Sequence, residues 1–272
     1  MKPIVYLLLL LSVSAFAQDG ERFLKSCASM MATNRAPQSR FFFAERREKS
    51  RLDTLTRNAQ NDRFRAINYL WQRDYEQADL WLEKTSVTYP KESGAIGELY
   101  LLELRDYQRA LKHFDAYDAL TPAFDDIVYN SPVSYFKGLA YQGLGDHQRA
   151  IEQFSAGIDS LVHKHGAEWV NYRHFISRAV SYIALQQPEK ALTDLGFALK
   201  NFNRSALAQY QRGRALRQLN RTQEAQTAFQ DASFFFKALR AERTIDFQED
   251  DHNLLYEPDI DEALQNLKTL NR

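Results

Sequence analysis

The chain of 272 residues carries 35 basic and 35 acidic side chains, so its formal net charge is zero. A neutral chain has no overall field to recruit nucleic acid or anionic lipid, and we expect no nucleic-acid partner. Its hydrophobic content of 44% suffices for an ordinary globular core, and a single cysteine excludes a scaffold held by internal disulfides.

The N-terminus has the features of an export signal. Lys2 precedes an apolar run over residues 4–11, and Ala-Phe-Ala at 15–17 supplies the small residues of a signal-peptidase site. The apolar run is shorter than the ~20 residues that span a bilayer. Cys27 lies ten residues beyond the cleavage point, too far for lipid attachment, and its state, free or bridged, stays open. We predict a signal peptide at 1–17 and a secreted or periplasmic protein without a membrane anchor after cleavage.

Residues 18–58 are predicted to form an N-terminal helical cap. Segments 20–33 and 41–58 have helical patterns, and residues 35–38 break them apart. The apolar run Phe-Phe-Phe at 41–43 is expected to pack under the helices that follow. Nine basic against four acidic residues lie between positions 35 and 65.

Five alanines recur in a degenerate repeat of about 34 residues. Four residues after each alanine stands a bulky apolar side chain, and twelve residues before it there is usually a small residue, with Glu98 as the exception. Three residues after that small position comes a large apolar side chain. Such spacing places one small and one bulky residue on the same helix face, and it predicts helical hairpins whose two helices approach closely. The alanines are Ala78, Ala110, Ala150, Ala191 and Ala225, and the bulky residues are Leu82, Phe114, Phe154, Leu195 and Phe229.

This pattern resembles the tetratricopeptide repeat family, which has the same small, aromatic and alanine positions and a terminal proline. Pro90 and Pro122 each follow their alanine by twelve residues, in that proline position. The resemblance covers residues 59–238, with insertions expected near 123–130 and 163–169. It implies an all-α fold: a right-handed superhelical solenoid of about five stacked antiparallel helix hairpins, with N-terminal helices and a C-terminal capping helix.

Local signals support the hairpins independently. Asp74, Asp106 and Asp146 each precede a second helix, where a carboxylate caps free backbone amides. Pro188 fits the first turn of the fourth repeat's second helix, and Ser131-Pro132 is predicted to open the third repeat's first helix.

Residues 239–272 are predicted to form an acidic linker and a capping helix opened by Pro258. Ile260, Ala263, Leu264 and Leu267 follow the spacing of one apolar helix face. Eight acidic and no basic residues lie between positions 246 and 262. The basic and acidic ends are compatible with polar caps or with head-to-tail self-association.

The resemblance implies that a protein or peptide partner binds the concave face, at fixed positions of the first helices. The predicted groove residues are Tyr135, Leu139, Gln142, Arg173, Ile176, Val180, Ile183, Leu207, Tyr210, Arg214 and Arg217. Alternatively, Ile176, Val180 and Leu207 merely pack between neighbouring helices. The Lys and Asn residues with which some family members clamp a chaperone C-terminus are absent. We therefore expect a non-enzymatic extracytoplasmic adaptor or scaffold without a cofactor.

Two other functions are alternatives to the adaptor. A metal-assisted hydrolase would use His163, His165 and Glu168, with His174 nearby, although their spacing does not match a zinc-binding helix. A structural subunit of an envelope assembly would contact its partners through the ends of the solenoid. No nucleophile elbow or phosphate-binding glycine loop is present in the sequence.

The acidic residues 246–256 admit two interpretations. In the first, the segment lies along the groove, pairs its carboxylates with Arg173, Arg214 and Arg217, buries its aromatic residues, and is displaced by a partner. In the second, it is a solvated linker to the capping helix.

Overall fold

The computed structural model describes residues 58–122 and 125–270. The predicted signal peptide, nearly all of the N-terminal cap, and Cys27 lie outside these residues. The helices in the described ranges are α1 (Ala59–Trp71), α2 (Tyr75–Thr88), α3 (Ser93–Leu102), α4 (Tyr107–Asp118), α5 (Val133–Gly143), α6 (His147–His165), α7 (Tyr172–Ala184), α8 (Pro188–Asn201), α9 (Ala206–Gln218), α10 (Thr222–Glu242) and α11 (Glu257–Leu270).

Short elements fill the predicted insertions. Strands β1 (Ile127–Val128) and β2 (Ser131–Pro132) form an antiparallel ribbon between α4 and α5. A 3-10 turn at Ala167–Trp169 joins α6 to α7, and another at Pro90–Glu92 joins α2 to α3. The sequence did not predict the ribbon. Ser131 and Pro132 belong to it, and α5 begins one residue later at Val133.

The helices pack as five consecutive hairpins, from α1–α2 to α9–α10. The second helix of each hairpin contacts the first helix of the next. First helices also contact each other, α3 with α5, α5 with α7 and α7 with α9, so they form one continuous inner layer. The chain is therefore an all-α solenoid, as the repeat pattern predicts.

The small-against-bulky pairing forms the interior of each hairpin. All five repeat alanines are fully buried, and the five bulky residues are at most 1% exposed. A Cβ atom added to Gly138 would lie 2.5 Å from the ring of Phe154, and one added to Gly213 would lie 2.5 Å from that of Phe229. Only glycine allows the first helix to approach so closely.

The second repeat corrects the predicted register by one residue. Gly97, not Glu98, faces the bulky side chain, because its added Cβ would lie 2.7 Å from Phe114. In that turn the N–H of Asp106 donates to the carbonyl of Tyr100, six residues earlier. The equivalent bonds in the other hairpins span five residues, as from Asp146 to Tyr141. One extra residue in the turn therefore shifted the pattern.

The predicted helix caps are present. The side chains of Asp74, Asp106 and Asp146 accept hydrogen bonds from backbone N–H groups three residues further on, at 3.2, 3.0 and 3.0 Å. Pro188 is the first residue of α8, where its missing N–H leaves no helical hydrogen bond unmade.

Helix α11 closes the array at the fifth hairpin. It contacts α10, and Ile260, Ala263 and Leu267 are buried. Ala263 and Leu267 join Phe229 in one apolar cluster, as the predicted apolar face requires. No helix in the described ranges is long and apolar enough to cross a membrane.

Candidate partner-binding site

The residues between α10 and α11 lie across the surface of the inner layer. We call residues 246–256 the C-terminal segment. Its groups contact α7, α9 and the turn after α3. A solvated linker would leave those groups in water, so the segment is an integrated part of the groove.

Glu249 fixes the segment to the N-terminus of α9. Its carboxylate accepts hydrogen bonds from the Ser205 hydroxyl at 2.7 Å and from the N–H groups of Ala206 and Leu207 at 2.6 and 3.1 Å. A negative charge there complements the positive end of the helix dipole. Burial nevertheless raises the pKa of Glu249 above its ordinary value, against the lowering effect of these hydrogen bonds.

Further contacts hold the rest of the segment. The Asn253 side chain donates to the Ser177 hydroxyl on α7 at 3.1 Å, and Arg105 donates to the backbone carbonyl of Asp251 at 3.0 Å. Leu255 is 4% exposed and packs into the core that includes Leu207.

These contacts differ from the predicted ones. Glu249 binds a helix N-terminus instead of an arginine, and Arg214 donates to Gln211 at 2.9 Å. Arg217 is exposed. The buried apolar residue is Leu255, whereas Tyr256 is 49% exposed. The prediction that the segment lies along the groove agrees with the structure, but the predicted burial of Tyr256 is wrong. The acids at 249–251 make no hydrogen bond or ion pair with the predicted arginines, although Arg173 interacts electrostatically with Glu249 and Asp250.

The predicted groove residues divide by burial. Ile176 and Leu207 are at most 1% exposed and belong to the core, as the packing alternative holds. Gln142 ties α5 to α7 by donating to the Ser177 carbonyl at 2.9 Å. Tyr135, Leu139 and Ile183 are buried as well, while Arg173, Val180, Tyr210 and Arg214 are half-buried. Partner contact by the accessible residues stays a prediction.

An open cavity remains at the other end of the groove. Its volume is about 230 Å³, and it lies between α3, α5, α7, the β1–β2 ribbon and the C-terminal segment. The polar side chains that line it are Glu98, Tyr129, Asn130, Ser131, Tyr135, Asn171, Arg173, His174, Asp250, Asp251 and His252. Of these, the sequence had singled out only Tyr135 and Arg173 as groove residues.

The environment shifts the ionisation of several cavity groups. Burial, with the nearby charges of Asp251 and Glu103, raises the pKa of Glu98 to about 7. Burial also lowers the pKa values of His174 and His252 to about 4. Both histidines are therefore neutral at pH 7.

His174 is positioned by two contacts and lacks a third. Its Nε2 lies 3.2 Å from the Ser131 hydroxyl, and its ring stacks on Tyr135 with centroids 3.9 Å apart. Its buried Nδ1 has no hydrogen-bond partner in the described structure.

The predicted histidine cluster does not assemble. His163 and His165 are exposed in the last turn of α6, while His174 is buried on α7. Within residues 58–122 and 125–270, no group of three or more His, Cys, Asp or Glu side chains is arranged to hold a metal ion. The described residues give the hydrolase alternative no metal centre.

The fold defines a helical repeat protein with a groove along its inner layer. A family model described as tetratricopeptide repeat matches residues 131–160 and 206–233, within the third and fifth hairpins. The third and fifth hairpins are therefore tetratricopeptide repeats. Such repeats are protein-interaction modules, and proteins built from them are generally non-catalytic scaffolds.

Solved structures show the same fold. The chain is similar to a tetratricopeptide repeat protein from Parabacteroides merdae, with 17% identity and a TM-score of 0.56, covering 87% of this chain and 81% of that one. It is also similar to MamA, with 14% identity and a TM-score of 0.53, covering 68% and 94%. For MamA from Desulfovibrio magneticus RS-1 the identity is 20%, the TM-score 0.50, and the coverage 68% and 97%. No curated protein sequence matches the chain.

Proposed function

We propose that the chain is a non-enzymatic adaptor that binds a protein or peptide partner in the groove between α3, α5 and α7. The observation that carries this proposal is the open cavity of about 230 Å³ on the inner layer. Two of its buried polar atoms, Nε of Arg173 and Nδ1 of His174, have no partner in the described structure. Unpaired buried polar groups are costly, so a ligand that supplies their hydrogen bonds is favoured.

The C-terminal segment is one wall of this site in the proposal. Asp250, Asp251 and His252 line the cavity, while the neighbouring Glu249 is anchored at α9. A partner can therefore contact the segment without displacing it. This arrangement replaces the hypothesis of a segment that must leave the groove.

Selection of peptides from a displayed random library against the full chain tests the adaptor function. Peptides recovered should bind the parent protein and lose about tenfold or more in affinity to the Tyr129→Ala/Arg173→Ala variant, since a few contacts dominate most interfaces. Val87→Ala on α2 is the matched control, because Val87 is 80% exposed and does not line the cavity. Equal binding to parent and cavity variant, or recovery of no binding peptide, would contradict the proposal.

We further propose that the adaptor is exported after removal of residues 1–17. The support is the sequence of the N-terminus alone: a basic residue, a short apolar run and Ala-Phe-Ala at 15–17. Intact-mass measurement on chain from the extracytoplasmic fraction should give an N-terminus at Gln18. A chain that retains Met1 and stays in the cytoplasm would contradict export.

A further inference from the structure

The open cavity has an excess of acidic groups. Glu98, Asp250 and Asp251 line it, and Arg173 is the only Lys or Arg among its lining residues. Asp250 is already engaged, because its carboxylate accepts from the backbone N–H groups of the two residues His252 and Asn253 at 2.8 and 2.5 Å.

Glu98 and Asp251 are different. Neither carboxylate makes a hydrogen bond or ion pair with the described part of the chain, although each lines the same cavity. Their mutual repulsion contributes to the raised pKa of Glu98, with burial as the larger cause and the nearby charge of Arg63 acting in the opposite direction. Two carboxylates in a partly desolvated place favour an added positive charge.

A second observation, independent of the acids, also points to a ligand. His174 is only 2% exposed, lines the cavity, and has an unpartnered Nδ1. When its Nε2 carries the proton and donates to Ser131, Nδ1 is an acceptor for a ligand N–H. Arg173 Nε is the complementary case, a buried donor without an acceptor.

We infer that the cavity receives a lysine or arginine side chain of the bound peptide, with its cationic head between Glu98 and Asp251. This inference rests on the proposed function and specifies the chemistry of the partner. The cavity of about 230 Å³ is smaller than the ~300–1,000 Å³ of pockets for drug-sized ligands, so it suits one side chain.

The remaining groups recognise the peptide around that side chain. Arg173 Nε donates to a backbone carbonyl of the partner, and His174 Nδ1 accepts an N–H. A free amine offers no carbonyl, so it leaves Arg173 unsatisfied. The arrangement therefore favours a basic residue within a peptide over a small polyamine.

Binding of defined probes to the full chain tests the inference by fluorescence anisotropy at low salt. The probes are labelled alanine-based peptides that differ only in one central residue: lysine, arginine, norleucine or glutamate. Lysine and arginine peptides should bind about tenfold or more tightly than the norleucine peptide, the effect of one hydrogen-bonded charge. Equal binding of the lysine and norleucine peptides would overturn the inference without depending on the folding of any variant.

Substitutions of the two carboxylates test whether the preference for a basic peptide residue arises at the cavity. Glu98→Gln and Asp251→Asn should each weaken lysine-peptide binding about tenfold while leaving norleucine-peptide binding unchanged. The control is Asp261→Asn on α11, an exposed carboxylate that does not line the cavity, and it should change neither. Unchanged lysine-peptide binding in both cavity variants would refute the assignment of this site.

Three further outcomes separate this inference from the adaptor function. Cadaverine that displaces the lysine peptide at equal concentration would identify a small-amine site and overturn the peptide assignment. Library-selected peptides that need an intact cavity but contain no essential lysine or arginine would overturn the cation site alone. Failure of every peptide to bind would remove the adaptor function as well.

Discussion

The third and fifth repeats have the same interior and opposite inner faces. In both, a glycine of the first helix lies against a phenylalanine of the second, Gly138 against Phe154 and Gly213 against Phe229. The inner face of the fifth repeat carries Glu249 and Leu255 of the C-terminal segment. That of the third lines an open cavity.

The difference shows that the interior of a repeat does not determine whether its inner face is covered or open. The hairpin interior is set by residues within one repeat, because each helix pair must bury its own small and bulky positions. Whether an inner face is covered depends on contacts with other parts of the chain, here the C-terminal segment. At the fifth repeat the segment supplies an acceptor to the N-terminus of α9, whereas Arg173 and His174 beside the open cavity each keep one buried atom without a partner in the described structure.

Removal of the buried phenylalanine ring should destabilise the third and fifth repeats to a similar extent. This is the largest loss of stability that we expect. Phe154→Ala and Phe229→Ala should each cost roughly 3 to 5 kcal/mol in the free energy of unfolding, because each ring fills the space beside a glycine. Chemical denaturation of the full chain measures the loss. A difference of several kcal/mol between the two variants would break the equivalence of the interiors, and losses below ~0.5 kcal/mol would refute the register.

The hairpins were predictable because their determinants are close in sequence. The repeat alanines and bulky residues are four positions apart, and the capping aspartates act on amides three residues further on. The same rule explains the error at Glu98. Spacing across a turn cannot reveal one inserted residue, so counting back twelve positions from Ala110 gives Glu98, whereas Gly97 lies against Phe114.

The filled part of the groove was less predictable because its contacts join distant residues. Glu249 meets Ser205 across 44 positions, Asn253 meets Ser177 across 76, and Arg105 meets Asp251 across 146. The excess of acids in the segment suggested arginine partners. The N-terminus of a helix also binds a carboxylate, but it does so through backbone N–H groups, which no residue type in the sequence marks. The contact between Glu249 and α9 was therefore not predictable from the charges.

Removal of the Glu249 side chain should cause an intermediate loss of stability, and the loss should be local to the fifth repeat. Glu249→Ala leaves the Ser205 hydroxyl and two backbone N–H groups without their acceptor, so we expect a cost of about 1 to 3 kcal/mol in unfolding free energy. Amide hydrogen exchange should accelerate in the segment and the first turn of α9, and remain unchanged in α5.

The exposed Asp261→Ala variant is the control for that measurement and should lie within ~0.5 kcal/mol of the parent. Equal acceleration of exchange in the third and fifth repeats would mean that the segment stabilises the whole array, and the distinction between filled and open faces would fail.

The last expected effect depends on pH and is a gain in stability relative to the parent, not a loss. The pKa of Glu98 is raised from 4.5 to about 7 in the folded chain, so folding favours its neutral form. The stability it contributes is complete below pH 4.5 and is lost as the pH rises through about 7. Glu98→Gln keeps the shape and removes this loss. Its melting temperature relative to the parent should therefore increase between pH 4.5 and pH 8. A difference that is the same at both pH values would show that folding does not disfavour the charged form of Glu98.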